Sequence, residues 1–344
     1  MFSYRRVTFA LTVVVAAVLL AACGGGGSTT GTEPTGETKT TAEDRSSAVG
    51  KKIVLAGDVS VPATNEIECE QKKAVEAAGA DFEYQFPDEF NAAKQVEIVN
   101  ALSATQPDVM IIDPDDPTAL VTPLKEVAAN GTKVVLEQHE LTDDSFVSGL
   151  VIGDNEALGT QMAEILAEKI GNKKGEVALL GYTPGASSIS DAAQKGFKEQ
   201  IKKYPNLEFI GTTVMKTTSL EEGSQAANAL MSSHPNLVGM AADSEYYSIG
   251  MAEAIAQRGL KDQIATAQVT SSPKAIQLIK EGVLDGLSSP NWAVIGKESG
   301  EAAVAVAAGE EAPKFAPVAP FKITAETVNS PKGKEAENNP GSPC

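Results

Sequence analysis

The chain has 344 residues, of which 42% are hydrophobic and 22% charged, an ordinary globular mixture with length enough for about two domains. Asp and Glu number 46 against 28 Lys and Arg, a formal net charge of -18, and no basic cluster follows Arg6, which argues against nucleic acid as a partner. Two histidines and three cysteines, with no CxxC and no HExxH, leave almost no material for a metal site, and no cofactor is expected.

Arg5 and Arg6 precede an apolar run over residues 7–20 that ends in Leu20-Ala21-Ala22-Cys23. Two charges, a short apolar run and a small-residue exit are the parts of a secretory signal, and the run is short for a bilayer span. A retained transmembrane anchor is the alternative. Residues 24–50 are rich in Gly, Ser, Thr and Glu, cannot bury enough surface to order themselves, and read as a tether.

From Lys51 onward, short apolar β-branched runs alternate with helix-period segments. The predicted strands are 53–56, 82–86, 109–112, 134–136 and 147–152, and the predicted helices between them are 65–78, 91–104 and 118–129. After Gly153-Asp154-Asn155 the alternation restarts, with helices over 156–170, 188–203, 220–233, 246–258 and 274–280. The strands of this half are 177–180, 208–215, 237–242, 265–269 and 286–289. Residues 302–308 are predicted helical, 315–323 extended, and 329–344 a tail rich in Pro, Gly and charge. Continuous apolar strands separated by helices predict parallel sheets covered on both faces, so the fold class is α/β with two similar doubly wound lobes. Open sheets of this kind bind ligands beyond the carboxyl ends of their strands, which directs attention to 58–64, 113–116, 137–140, 182–191, 216–219, 243–247, 270–273 and 290–292.

Two resemblances add to this reading. Leu20-Ala21-Ala22-Cys23 resembles the lipobox of bacterial lipoproteins, which implies a signal peptide over 1–22, an acylated Cys23, and a location at the outer face of the cytoplasmic membrane. From about 51 to 323 the chain resembles type I periplasmic sugar-binding proteins of the ribose-binding group. The resemblance rests on Pro62 after the first strand, Asp113-Pro114 after the third, the Asp154-Asn155 crossover with Gly159, Gly196-Phe197, His234-Pro235, the turn from Asp243 to Gly250, and Lys280-Glu281-Gly282. It implies two Rossmann-like lobes joined by three hinge crossovers. The expected division is a tether at 23–50, a first lobe of 51–153 plus 291–320, a second of 154–290 plus 321–328, and the tail. It further implies closure around a small solute and delivery to the permease subunits of an ABC importer by a monomer.

The pocket departs from the family pattern. Where the family places an Asn and two aromatics after the first strand, this chain has Val61, Ala63 and Thr64. An acidic residue and an Arg correspond to Gln138 and His139, a further Arg to Asp191, an aromatic to Thr218, an Asn to Ser244, an Asp to Thr270, and a Gln to Pro290 or Asn291. The candidate ligand-binding set is therefore Thr64, Asp113, Gln138, His139, Ser188, Asp191, Thr218, Ser244, Glu245, Tyr246, Thr270, Asn291 and Trp292. Tyr182 and Tyr247 are further candidate aromatics. Each has a plainer reading: one of Tyr246 and Tyr247 packs, Trp292 fills an interface, His139 caps a loop, Asp191 serves a helix N-terminus, and Asp113 and Asp116 shape a Pro-containing turn. With Asp191 and Glu245 in the set and no Arg evident, the expected solute is a neutral or amine-bearing sugar, polyol or amino sugar. Cys69 and Cys344 remain as an even pair available for a disulfide.

Other functions have little support. Ala56-Gly57-Asp58-Val59-Ser60-Val61 is not GxGxxG, and Gly185-Ala186-Ser187-Ser188 lacks the closing Gly of GxSxG, so an α/β enzyme is disfavoured. A DNA-binding regulator of the same fold would need a helix-turn-helix where the signal and tether stand. A sensor that presents its closed form to a membrane signalling partner uses the same scaffold and stays open as an alternative.

Overall fold

In the computed structural model the described residues are 48–217 and 219–338, with Pro62 and 335–338 described by their backbone alone. They fall within one unit, Ala42–Cys344. The signal, Cys23, most of the tether, Thr218 and Cys344 lie outside the described residues. No helix among the described residues is long and apolar enough to cross a membrane.

The first half runs β1 (Lys52–Ala56), α1 (Pro62–Ala77), β2 (Asp81–Gln85), α2 (Ala92–Ser103), β3 (Val109–Ile112), α3 (Val121–Ala129), β4 (Lys133–Glu137) and β5 (Gly149–Val151). These strands form one parallel sheet in the order β2-β1-β3-β4-β5. Alternation along β1 shows why both faces are covered. Ile53 and Leu55 enter one core with Ile67 and Val75 of α1, whereas Val54 and Ala56 enter the other with Val99 and Leu102 of α2.

The second half runs α4 (Asn155–Ile170), β6 (Gly175–Gly181), α5 (Ser188–Ile201), β7 (Leu207–Val214), α6 (Leu220–Ser233) and β8 (Leu237–Ala242). It continues through α7 (Glu245–Gln257), β9 (Ala265–Val269), α8 (Pro273–Lys280), β10 (Gly286–Ser289), α9 (Trp292–Ala307), β11 (Phe321–Thr324) and α10 (Pro331–Asn338). The second sheet has the order β11-β10-β9-β8-β6-β7 and is parallel except for β11, which pairs antiparallel with β10. α9 returns to the first lobe, where Ile295, Ala302 and Val306 join the core of α1 and β1.

Three segments depart from the periodicity reading. α9 covers Trp292–Ala307, not only 302–308. Its first turns carry Gly296, where a Cβ would lie 2.4 Å from the Ile67 carbonyl oxygen, so a residue that weakens helix propensity is what lets α9 seat on α1. Of the extended stretch 315–323, only Phe321 onward is strand. Val318 instead bridges Gly153, donating its N–H to Ile152 O at 2.8 Å and accepting from Asp154 N at 2.9 Å, so two crossovers are laced side by side. The tail contains α10, which starts at a Ser330-Pro331 pair whose helix-starting chemistry is legible in the sequence.

Candidate functional site

The carboxyl ends of both sheets face a common cleft. A cavity of about 380 Å³ lies between the start of α1 (Val61, Ala63, Glu66), the start of α9 (Asn291, Trp292) and the strand ends of the second lobe (Tyr182, Ser244, Glu245, Tyr246, Thr270). A second, of about 530 Å³, is lined by Gln138, His139, Asp115 and Phe90 on one side and by Ser188 and Asp191 on the other. Ser187 lines both cavities.

Asp243, just after β8, organises the second-lobe wall. Its carboxylate accepts from Gln194 Nε2 at 2.8 Å, from Tyr182 N at 3.3 Å, and from the hydroxyls of Ser190 and Tyr247. Burial pushes its pKa up, opposed by these donors. The Tyr182 hydroxyl donates to Ser244 Oγ at 3.3 Å, and its ring meets that of Tyr247 edge to face at 5.7 Å. Tyr247 is fully buried while Tyr246 is 57% exposed, so Tyr247 packs and Tyr246 is the one that faces the cleft. Burial also raises Glu245, against a hydrogen bond from Ser272.

The first-lobe wall is acidic. His139 Nδ1 lies 2.6 Å from Asp113 Oδ1, and Gln138 Nε2 donates to Asp113 Oδ2. Burial opposes the charged imidazole, but the charge and hydrogen bond of Asp113, together with the charges of Asp58 and Asp115, outweigh it and hold the His139 pKa above the usual range. Burial, and then the charge of Asp113, push Asp58 to about 8. Burial likewise lifts Asp115 to about 6 against the hydrogen bond from Asn91 N. Glu137, buried beneath the cluster and bonded to Gln71 and Ser299, is raised well above the carboxylate range by burial. Among the described residues no group of three or more His, Cys, Asp or Glu is arranged to hold a metal ion.

Two strand-end residues adopt left-handed backbone without being glycine: Gln138 at φ 58° after β4 and Thr270 at φ 78° after β9. For β-branched Thr270 this is costly, and residues held in this way cluster at ligand-contacting positions.

The sequence candidates divide among these places. Ser244, Glu245, Tyr246, Thr270, Asn291 and Trp292 line the first cavity, and Gln138, His139, Ser188 and Asp191 the second. Asp113 lines neither and stands behind Gln138 and His139. Thr64 is buried, its hydroxyl donating to Val59 O and accepting from Val61 N at 3.0 Å, so it closes the start of α1. Asp191, in the first turn of α5, accepts from Gly185 N at 2.9 Å and ties down the loop before that helix. Asp116 caps the Thr118 and Ala119 amides in the Pro-containing turn.

Residues 54–311 match the periplasmic binding protein domain, three-quarters of the chain. The chain belongs to the periplasmic binding protein family. The ribose import binding protein of Bacillus subtilis is 28% identical over 242 residues, covering 68% of this chain and 73% of its own length. The D-allose-binding periplasmic protein of Escherichia coli is 23% identical over 216 residues, with 61% and 69% covered. Among solved structures, a periplasmic ribose ABC transporter protein from Conexibacter woesei superposes with a TM-score of 0.76 at 23% identity, covering 85% of this chain and 99% of that one. An Agrobacterium vitis solute-binding protein bound to α-D-tagatopyranose reaches 0.72 at 24%, with 82% and 97% covered. The family resemblance and the two-lobed α/β fold read from the sequence are thereby borne out.

Sequence reasoning missed several residues of this binding-protein cleft. Glu66 lies one turn into α1, beyond the strand-end segments, although its helical spacing from Pro62 was readable. Ser271, Ser272 and Asp243 stood within those segments and were passed over in favour of their neighbours. Phe321 and Lys332 come from the start of β11 and from α10, where no ligand residue was sought.

Proposed function

We propose that this chain is a lipid-anchored, extracytoplasmic solute-binding protein that delivers a sugar, polyol or amino sugar to an ABC importer by closing its two lobes. The observation that carries the reading is the cleft itself. Aromatic side chains (Tyr182, Tyr246, Trp292) and hydroxyl or amide groups (Ser244, Thr270, Asn291) converge there from opposite lobes, the mixture that a sugar's apolar faces and hydroxyls require. The names of the relatives, which bind ribose and allose, support the same class of solute. Glu66, Asp243 and Glu245 beside a single lysine favour a neutral or amine-bearing ligand over an acid.

The lobes divide at 153/154, 290/291 and 320/321, and the hydrogen-bonded pair of crossovers at Gly153 and Val318 is the natural pivot. Binding residues are those facing the cavities, with Thr64 and Asp113 acting through the groups they hold. The protein acts without catalysis, as a monomer, at the outer face of the cytoplasmic membrane, tethered through Cys23.

The test is a thermal-shift screen followed by calorimetry with D-ribose, D-allose, D-tagatose, D-arabinose, xylitol, myo-inositol and D-glucosamine. A ligand that binds only the native state raises the melting temperature; at one hundred times its Kd it adds about 2.7 kcal/mol. A chain that responds to none of these, or binds a sugar acid more tightly than its neutral counterpart, is not the receptor described.

A further inference from the structure

The last strand, β11, ends at Thr324, but the chain goes on to build a further piece of wall. Val328, 2% exposed, enters the core formed by Ile276 and Ile279 of α8 and Leu287 of β10. Ser330 then starts α10, its hydroxyl accepting from Gly333 N at 3.2 Å. A Cβ at Gly333 would lie 2.2 Å from the Val328 carbonyl oxygen, so α10 sits on its own lead-in turn at a distance only glycine allows. This seat fixes the rotation of the helix.

The rotation places Lys332 at the cleft. Its Nζ stands 4.4 Å from the centroid of the Phe321 ring, and both residues line the 380 Å³ cavity. It is the only Lys, Arg or His among that cavity's lining residues. Among the residues whose side chains are described, no carboxylate pairs with it. A cation in the first turn also opposes the helix dipole, and no acidic residue accompanies it there, so local helix energetics do not account for a lysine at this position. The ring face engages the ammonium and leaves its N–H donors directed elsewhere.

We infer that Lys332 is a ligand-contacting residue and that α10 belongs to the binding site, its ammonium donating to a hydroxyl or ring oxygen of the solute. This rests on the sugar-receptor reading of the cleft. A charge-assisted hydrogen bond of this kind is worth about ten- to a hundred-fold in affinity.

The single tryptophan of the chain, Trp292, lines the same cavity and serves as reporter. Its quenching by iodide and by neutral acrylamide is compared in the wild type, in Lys332→Ala and in Lys334→Ala, the last a lysine of the same helix outside the cavity lining. A cation at the cavity concentrates iodide, so Lys332→Ala lowers the iodide constant about two-fold with acrylamide unchanged, and Lys334→Ala matches the wild type. An iodide constant unmoved by Lys332→Ala overturns the inference. Titrations with D-ribose, D-allose, xylitol and myo-inositol follow, and the sugar that binds the wild type binds Lys332→Ala at least ten-fold more weakly. Equal affinities overturn the role of Lys332 and leave the receptor reading standing. A wild type that binds none of the four counts against the receptor reading, and the quenching then decides alone whether Lys332 faces the cavity.

Discussion

His139 Nδ1 and Asp113 Oδ1 stand 2.6 Å apart, so the second residue after β4 is bonded to the first residue after β3. The same carboxylate holds Gln138, whose backbone is left-handed at φ 58°. One buried aspartate thus sets two side chains of the cleft wall. Asp113→Ala leaves both donors unpaired and costs about 1.5–3 kcal/mol in urea denaturation. In Asp113→Asn the His139 pKa, followed by NMR, falls, because the strongest of the charges that oppose burial is gone. An unchanged His139 titration would contradict this account of the pair.

The pH dependence follows from the same wall. Burial and the charge of Asp113 raise Asp58 to about 8, and burial raises Asp115 to about 6. The folded protein therefore holds these protons more tightly than the unfolded chain, whose carboxylates titrate near 4. Their contribution to stability is fully present below that range and is lost as pH rises through about 6 and then about 8. His139, also raised, acts in the same direction. Melting temperatures between pH 4 and 9 should fall with pH across this window, and Asp58→Asn should flatten the upper part. A profile equally steep in Asp58→Asn would assign the slope to other groups.

Thr270 keeps φ 78° between an N–H donated to Ser288 O at 2.9 Å and a carbonyl that accepts from Gln268 Nε2 at 2.8 Å. Relief of such strain is worth about 1–3 kcal/mol, against about 0.5–1 kcal/mol for the freedom a glycine gains on unfolding. Thr270→Gly should accordingly be at least as stable as the wild type by chemical denaturation, while losing affinity for its solute. A clear loss of stability would show that the hydroxyl contributes more than the backbone strain costs.

Cys69 is disulfide-bonded, and its partner lies outside the described residues. The proposed lipidation of Cys23 leaves Cys344 as the proposed partner, which would tie the end of the chain to α1 beside Glu66. Mass mapping of a non-reduced digest should recover the two cysteines in one cross-linked peptide, and Cys69→Ser should cost about 2–4 kcal/mol. Recovery of Cys69 joined to Cys23 would remove both the bond to Cys344 and the lipid anchor.

The proposed anchor has a direct test. Cys23→Ser in a bacterial host should move the protein from the membrane fraction to the soluble extracytoplasmic fraction. Retention on the membrane would return the apolar run over 7–20 to the reading of an uncleaved span.

Much of this molecule was legible in its sequence. Runs such as Val109-Met110-Ile111-Ile112, short, rich in β-branched residues and apolar on both faces, read as doubly covered strands, and the restart of the pattern at residue 153 announces a second lobe. Those signals are local, because hydrophobic period and turn chemistry are properties of neighbouring residues. The family match over 54–311 bears them out. The segments just after each strand were identifiable for the same reason, and most candidates drawn from them do line the cleft. Which member of each segment faces it was decided by tertiary packing. Tyr246 and Tyr247 are adjacent on α7, and only the placement of the buried Asp243 carboxylate makes one a core residue and the other a cleft residue. Thr64 and Glu66 differ by about half a helical turn, and the turn at Val59 draws Thr64 inward. Lys332 lay farthest from sequence reasoning, since it reaches the cleft through a helix after the last strand, seated by a contact between Gly333 and Val328 that no periodicity encodes. The sequence by itself determined the order and kind of elements, because these depend on short-range pattern. The three-dimensional packing decided the chemistry of the cleft, because that depends on which distant side chains the two sheets and their crossovers bring within a few ångströms.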